Sequence, residues 1–78
     1  MKLPRDLTGR KLTKHLCARW NYHVVHQTGS HIILETEDPA HQRVAIPDHS
    51  KLRIGTLNSI LRSVSRHKSV TRNEILPK

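Results

Sequence analysis

The chain has 78 residues, with 14 Lys and Arg against 6 Asp and Glu, and a formal net charge of +8. A chain this short buries only about 60% of its unfolded surface, which excludes a deep substrate cavity and more than one domain. So large an excess of positive charge indicates a polyanionic partner, RNA first, or an acidic protein.

Cysteine content and hydropathy indicate the cellular compartment in which the chain is expected to work. The single cysteine, Cys17, excludes an intramolecular disulfide and fits a reducing environment. No segment approaches the roughly 18 apolar residues of a membrane-spanning helix. We therefore expect a cytoplasmic protein that does not bind a membrane.

The first predicted element is a helix that begins at Thr8 or Gly9. Apolar residues recur along it every four positions, at Leu12, Leu16 and Trp20. Asn21 suits a left-handed residue after the helix, because Asn tolerates positive φ better than most residues.

Three strands are predicted next, over 22–27, 30–37 and 42–46, with a turn at Thr28-Gly29. Alternation in the second strand places Ile32, Leu34 and Thr36 toward the core and His31 outward. A two-residue turn would set His31 opposite His26, and a three-residue loop would set it opposite Gln27.

A second helix is predicted from Ile54 to about His67, with a core stripe at Ile54, Leu57, Leu61 and Val64. Thr71 and Glu74 have capping-box spacing and predict one last short turn. The order α-β-β-β-α predicts an α+β fold. A three-stranded antiparallel sheet would carry two helices on one face, as in a double-stranded-RNA-binding domain.

His31 is the main candidate for chemistry. It follows Gly29 and Ser30 directly after the predicted turn, so it would sit on a rigid strand near an exposed corner. An imidazole has an unperturbed pKa of about 6.5 and can exchange a proton near neutrality. Gly29 lets the backbone approach a phosphate, and the Ser30 hydroxyl can donate to one. The plain alternatives are a surface histidine without a role and a histidine whose imidazole caps the hairpin.

Other chemistries are poorly supported. His23 and His26 are three apart on a predicted strand and should point to opposite faces, and no HxH, HExxH or CxxC pair occurs. We therefore predict no metal site and no cofactor. Cys17 lies on the first helix and is expected to be partly packed and unreactive.

Basic side chains on the first helix, Lys11 and Lys14 among them, are placed to contact phosphates rather than bases. Arg43 on the third strand is a further candidate cation. Trp20 and Tyr22 are the only aromatic residues, too few for a base-stacking surface.

Several short motifs together resemble the HicA-type toxins, also called the YcfA family. The resemblance covers about residues 5 to 76 and rests on these motifs: Leu7-Thr8-Gly9, Leu12 and Leu16, Gln27-x-Gly29-Ser30-His31, Ile46-Pro47-x-His49 and Gly55-Thr56-Leu57-x-x-Ile60-Leu61. Gly-Ser-His and Gly-Thr-Leu-x-x-Ile-Leu are the most specific, and their joint occurrence at this separation is the strong part. The chain departs from the family in having Asn21 where Gly is usual and His26 where Arg is often found.

The resemblance implies one HicA-like domain over residues 1–78 that cleaves messenger RNA and is neutralised by a HicB-type antitoxin. It implies that His31 is the essential histidine, with Gly29 and Ser30 as its motif neighbours. We predict that Gln27, Gly29 and Ser30 contact the RNA, together with Lys11, Lys14 and Arg43. We predict a monomer when the chain is free. Two other functions remain open: an RNA-binding module without catalysis, and a module that only binds an acidic antitoxin.

Overall fold

The computed structural model describes residues 3–4 and 6–77 of the chain. Its elements are, in chain order, α1 (Gly9–Arg19), β1 (His23–Thr28), β2 (His31–Thr36), β3 (Gln42–Pro47), α2 (Ile54–Lys68) and α3 (Arg72–Ile75). The strands form one antiparallel sheet in the order β1-β2-β3. The predicted α+β fold and the α-β-β-β-α order are confirmed, and α3 is the short last turn.

The core lies on one face of the sheet. β2 alternates, with Ile32, Leu34 and Thr36 buried and His31 exposed, so the predicted direction of each of these side chains is confirmed. The helices and β3 complete the core with buried side chains that include Leu12, Leu16, Val44, Ile46, Leu57, Leu61 and Val64. Ile54, predicted to join this core, is 55% exposed because it is the first residue of α2 and lies beyond the packed turns.

The β1–β2 hairpin has a register that differs from both predicted ones. Thr28 lies opposite His31 and Gln27 opposite Ile32, so the turn residues are Gly29 and Ser30. Gly29 has a φ of 47°, a left-handed conformation that glycine adopts without steric cost. Both predicted registers are therefore wrong, because the turn begins one residue later than the Thr28-Gly29 pair suggested.

A bulge in β1 overturns the prediction that His23 and His26 point to opposite faces of the sheet. The register shifts between Val24 and His26, which leaves Val25 as the extra residue. His23 consequently faces Glu35, and His26 faces Ile33. Residues two apart on a strand share a face, so both histidines lie on the same face of the sheet instead of opposite ones.

The helix ends follow the sequence signals. Thr8 caps α1, and its hydroxyl accepts a hydrogen bond from the backbone N–H of Lys11 at 3.0 Å. Asn21 follows the helix with a φ of 61°, as predicted. Thr71 and Glu74 form the predicted capping box at the start of α3.

The two helices leave the first strand largely uncovered. All six residues of β1 are exposed, and Val24 is 50% exposed although it faces the helix side, opposite buried Leu34. The core is therefore built on β2 and β3, with β1 as an open edge.

Candidate active site

His31 is the first residue of the middle strand, and its exposed side chain lies on the sheet face that α1 and α2 leave free. Its neighbours across the sheet are Thr28 on β1 and Pro47 on β3. The Ser30 hydroxyl oxygen lies 3.5 Å from Nδ1 of His31. Because β2 is paired on both sides, the backbone that carries the imidazole is fixed, whereas the imidazole itself is open to a large ligand.

Backbone hydrogen bonds hold the turn beside His31. The N–H of Asp48 donates to the carbonyl of Ser30 at 2.6 Å, and the N–H of Gly9 donates to the carbonyl of His49 at 3.0 Å. These bonds connect the hairpin turn, the loop after β3 and the first residue of α1. The N-terminal end of α1 therefore lies on the same side of the molecule as the candidate site.

A polar cluster forms on the helix side of this corner. The Asp48 carboxylate accepts hydrogen bonds from Arg10, at 3.0 and 3.3 Å, and from the Gln27 amide at 3.3 Å. The Arg10 guanidinium holds the pKa of the Asp48 carboxyl below its usual range. Sequence reasoning missed this cluster, because Arg10 and Asp48 are 38 residues apart and no motif connects them.

The Asp48 carboxylate should make stability depend on pH. A carboxyl whose folded pKa lies below its ordinary 3.8 stabilises the fold above that pH, and the contribution is lost as pH falls through the folded pKa. We expect Asp48→Asn to melt at a lower temperature than the parent at pH 7, and the gap between the two melting temperatures to narrow as pH falls below 3.8. Thermal unfolding across this range measures the difference, and a gap between the two proteins that is constant with pH would contradict the ion pair.

The structure brings only part of the predicted site together. Gly29, Ser30 and His31 are consecutive at one corner, as expected from their sequence positions. Gln27 lies near them but faces the helix side, where Asp48 engages its amide. The Gln27 side chain thus lies on the opposite face of the sheet from the His31 imidazole.

The three predicted cations lie in two separate places, with the two lysines on α1 and Arg43 on β3. Lys11 and Lys14 are exposed on α1, and Lys14 lines a groove between α1 and β1 on the helix side. Arg43 shares the free face with His31 but lies opposite Glu35, four residues along β2 and so about 13 Å away. Its Nε is 3.9 Å from the Glu35 carboxylate. Cations spaced in this way suit a polymer of several nucleotides better than one phosphate.

One group of potential metal ligands lies far from His31. One ligand atom from each of Glu35, Glu37 and His41 falls within 4.8 Å of the others. The His41 Nδ1 bonds Glu37 at 2.7 Å, and this carboxylate raises the pKa of His41. Glu35 faces Arg43, so these side chains pair with protein groups and we assign no metal to them.

None of the helices in the described part of the chain is long and apolar enough to cross a membrane.

Comparison with known proteins places the chain in a class. A family model described as the HicA toxin of bacterial toxin–antitoxin systems matches residues 9–65, from the start of α1 to near the end of α2. No curated protein and no solved structure gives a match. The chain is thus a toxin of the toxin–antitoxin type, a class that implies an antitoxin partner. Within that class, it belongs to the HicA toxin family, and the resemblance seen in its motifs is confirmed.

Proposed function

We propose that the chain is a metal-independent endoribonuclease that cleaves messenger RNA in the cytoplasm and is neutralised by a HicB-type antitoxin. The observation that carries this proposal is the placement of His31. Its imidazole is exposed on the fixed middle strand, next to a turn whose Ser30 carbonyl is held by Asp48. We treat residues 1–78 as one HicA-like domain that is a monomer when free.

RNA cleavage needs no metal in principle, because the 2′-OH is an internal nucleophile. A base removes the 2′ proton, the 2′ oxygen attacks phosphorus, and the leaving 5′ oxygen receives a proton. The products are a 2′,3′-cyclic phosphate and a 5′-hydroxyl. His31 acts as the base or as the acid, and either role typically contributes about 10²- to 10⁴-fold.

The groups beside His31 are suited to holding the phosphate. Gly29 has no side chain to obstruct the backbone of the turn, and the exposed Ser30 hydroxyl can donate to a phosphate oxygen. The net charge of +8 attracts the remaining phosphates, with Arg43 at the far end of the free face and Lys11 and Lys14 on α1.

RNA binding should weaken with salt, and less steeply once lysines are removed. For single strands, log K falls with log salt by about 0.7 for each phosphate contact. We expect the double variant Lys11→Gln/Lys14→Gln to bind more weakly at low salt and to lose about 0.7 of slope per contact removed. Fluorescence anisotropy with a labelled unstructured RNA, from low to high salt, measures both quantities.

A matched double variant on α2, Arg62→Gln/Arg66→Gln, removes the same charge at the other end of the sheet. The neighbouring Ser63 contacts Gln42, which begins β3, whereas His31 lies opposite the last residue of that strand. If both double variants lose the same slope of log K against log salt, the positive charge of the protein attracts RNA without holding it along a defined path.

An acidic antitoxin would gain association rate from the same cationic surface. The proposed HicB-type partner covers His31 and thereby blocks RNA from the free face. The alternative function is a module that binds RNA or the antitoxin without cleavage, with His31 only hydrogen-bonding a phosphate or a 2′-OH.

The test of the proposed function is incubation of the purified chain with a long unstructured RNA in EDTA. We expect fragments that end in 2′,3′-cyclic phosphate. Binding without fragments would favour the module without catalysis, and cleavage that EDTA abolishes would contradict the metal-independent mechanism.

A further inference from the structure

The reaction proposed above moves two protons, and His31 supplies one group. We propose that His26 is the second proton-transfer group, so that two histidines on the free face act on opposite sides of one phosphodiester. This assignment deepens the proposed function and rests on it.

The position of His26 follows from the strand register. His26 lies opposite Ile33, and His31 is two residues before Ile33 on the same strand. Residues that oppose each other share a face, and so do residues two apart along a strand. His26 and His31 are therefore diagonal neighbours on the face that the helices leave free, and both are exposed.

The spacing fits the chemistry. Diagonal neighbours across an antiparallel pair lie about 7–8 Å apart, and both side chains stand roughly perpendicular to the sheet. In an in-line displacement the attacking and leaving oxygens lie on opposite sides of phosphorus. A base and an acid must then flank the phosphate, each within about 2.6–3.2 Å of its oxygen. Two imidazoles separated by 7–8 Å leave room for one phosphate between them.

Among the described strand residues, none that lies between the two histidines is charged. Ile33 lies opposite His26 and two residues after His31, and it is half-buried. Exposed Ala45 lies opposite Ile33 on β3. On the described strands, the other titratable or charged residues of this face lie farther along, at His23, Glu35 and Arg43, and exposed His49 lies in the loop after β3.

The residue type at this position suits proton transfer. A guanidinium would stay charged and could not exchange a proton at neutral pH, whereas an imidazole can act as acid or base. The bulge at Val25 sets the His26 imidazole on the face of His31.

The two imidazoles carry out the two proton transfers of one cleavage step. One imidazole takes the proton of the 2′-OH as the O2′–P bond forms. The other, protonated at the start, gives its proton to the 5′ oxygen as the P–O5′ bond breaks. The protein ends with the two protonation states exchanged, and water restores them before the next turnover.

The experiment compares three single variants with the parent on one short RNA of defined cleavage site. His26→Gln removes the titratable group, and His26→Arg keeps positive charge without proton transfer. His23→Gln is the matched control, because it removes an exposed histidine from the same strand and face. Circular dichroism verifies that each variant folds.

We expect both His26 variants to cleave about 10²- to 10⁴-fold more slowly than the parent, and His23→Gln to stay within about twofold. The parental pH–rate profile should be bell-shaped, and each His26 variant should lose one limb. The loss should fall on kcat, with binding of the RNA little changed by His26→Arg.

A second substrate separates catalysis from phosphate binding. When sulfur replaces the 5′ oxygen at the scissile bond, the leaving group departs without a proton. One of the two variants His26→Gln and His31→Gln, and not both, should then regain cleavage close to that of the parent.

Two outcomes are distinguishable. If the parent cleaves RNA and either His26 variant keeps the parental rate and both limbs of the profile, the assignment of His26 is overturned and the proposed function stands. If the parent cleaves nothing, the proposed function fails, and the assignment fails with it.

Discussion

Replacing His31 with glutamine should lower RNA cleavage by about 10²- to 10⁴-fold and leave the fold intact. Glutamine keeps a polar side chain of similar length but cannot exchange a proton near neutrality. The side chain is exposed and the backbone of β2 is paired on both sides, so the change removes chemistry without opening the core.

Single-turnover cleavage of a labelled RNA in EDTA measures the rate, and the melting temperature verifies the fold. RNA affinity, measured on the same sample, should fall only slightly, because the phosphate contacts proposed for Ser30 and the lysines remain. Parental cleavage by a folded His31→Gln protein would rule out His31 as a catalytic residue. A large loss of affinity with an unchanged cleavage rate for bound RNA would assign His31 to RNA binding and not to proton transfer.

Much of the fold could be predicted because it depends on local patterns. Alternation in β2 gave the buried set Ile32, Leu34 and Thr36. Four-residue spacing gave the buried Leu12 and Leu16 of α1, whereas Trp20 lies at the C-cap and is half-buried. The caps at Thr8 and Thr71 depend only on residues within one helical turn. Such features need no knowledge of the rest of the chain.

The hairpin register could not be predicted from local signals. Thr28-Gly29 and Gly29-Ser30 both place a glycine in a two-residue turn, so turn chemistry alone does not choose between them. In the structure Gly29-Ser30 is the turn, and the bulge at Val25 then keeps Val24 and Gln27 on one face although they are three residues apart. Strict alternation along a strand does not allow for an inserted residue. The sequence pattern therefore predicts His23 and His26 on opposite faces.

In the candidate site, too, the contiguous features could be predicted from the sequence and the long-range contacts could not. The Gly29-Ser30-His31 segment was found because it is contiguous, whereas the Asp48 contacts with Arg10, Gln27 and Ser30 join segments distant in sequence. Periodicity and motif spacing carry no information about which distant segments meet. Those contacts nevertheless fix the corner on which His31 lies.

Gly9 is the point at which this corner is most sensitive to change. A Cβ placed on Gly9 would lie 1.9 Å from the carbonyl oxygen of Pro47 and 3.3 Å from the Cα of Asp48. The obstructing atoms are backbone, so no side chain can rotate out of the way. Glycine is therefore required here for the close approach of α1 to the end of β3.

We expect Gly9→Ala to reduce the free energy of unfolding by about 3 kcal/mol or more, in spite of the better helix propensity of alanine. The clash must push α1 away from the loop after β3, which breaks the hydrogen bond from the Gly9 N–H to the His49 carbonyl. The loop also holds the turn through Asp48 and Ser30, so the loss of stability should be accompanied by weaker RNA cleavage in any protein that still folds.

Gly55→Ala is the matched control, because a Cβ there meets nothing within 4 Å and Gly55 lies in the first turn of α2. Alanine at an unobstructed helical position should raise stability by about 0.5–1 kcal/mol. Urea denaturation of both variants and the parent measures the two effects, which should have opposite signs. Equal stability of Gly9→Ala and Gly55→Ala would mean that α1 and β3 do not approach as closely as the Gly9–Pro47 contact requires. The corner that carries His31 would then be held by the Asp48 contacts alone.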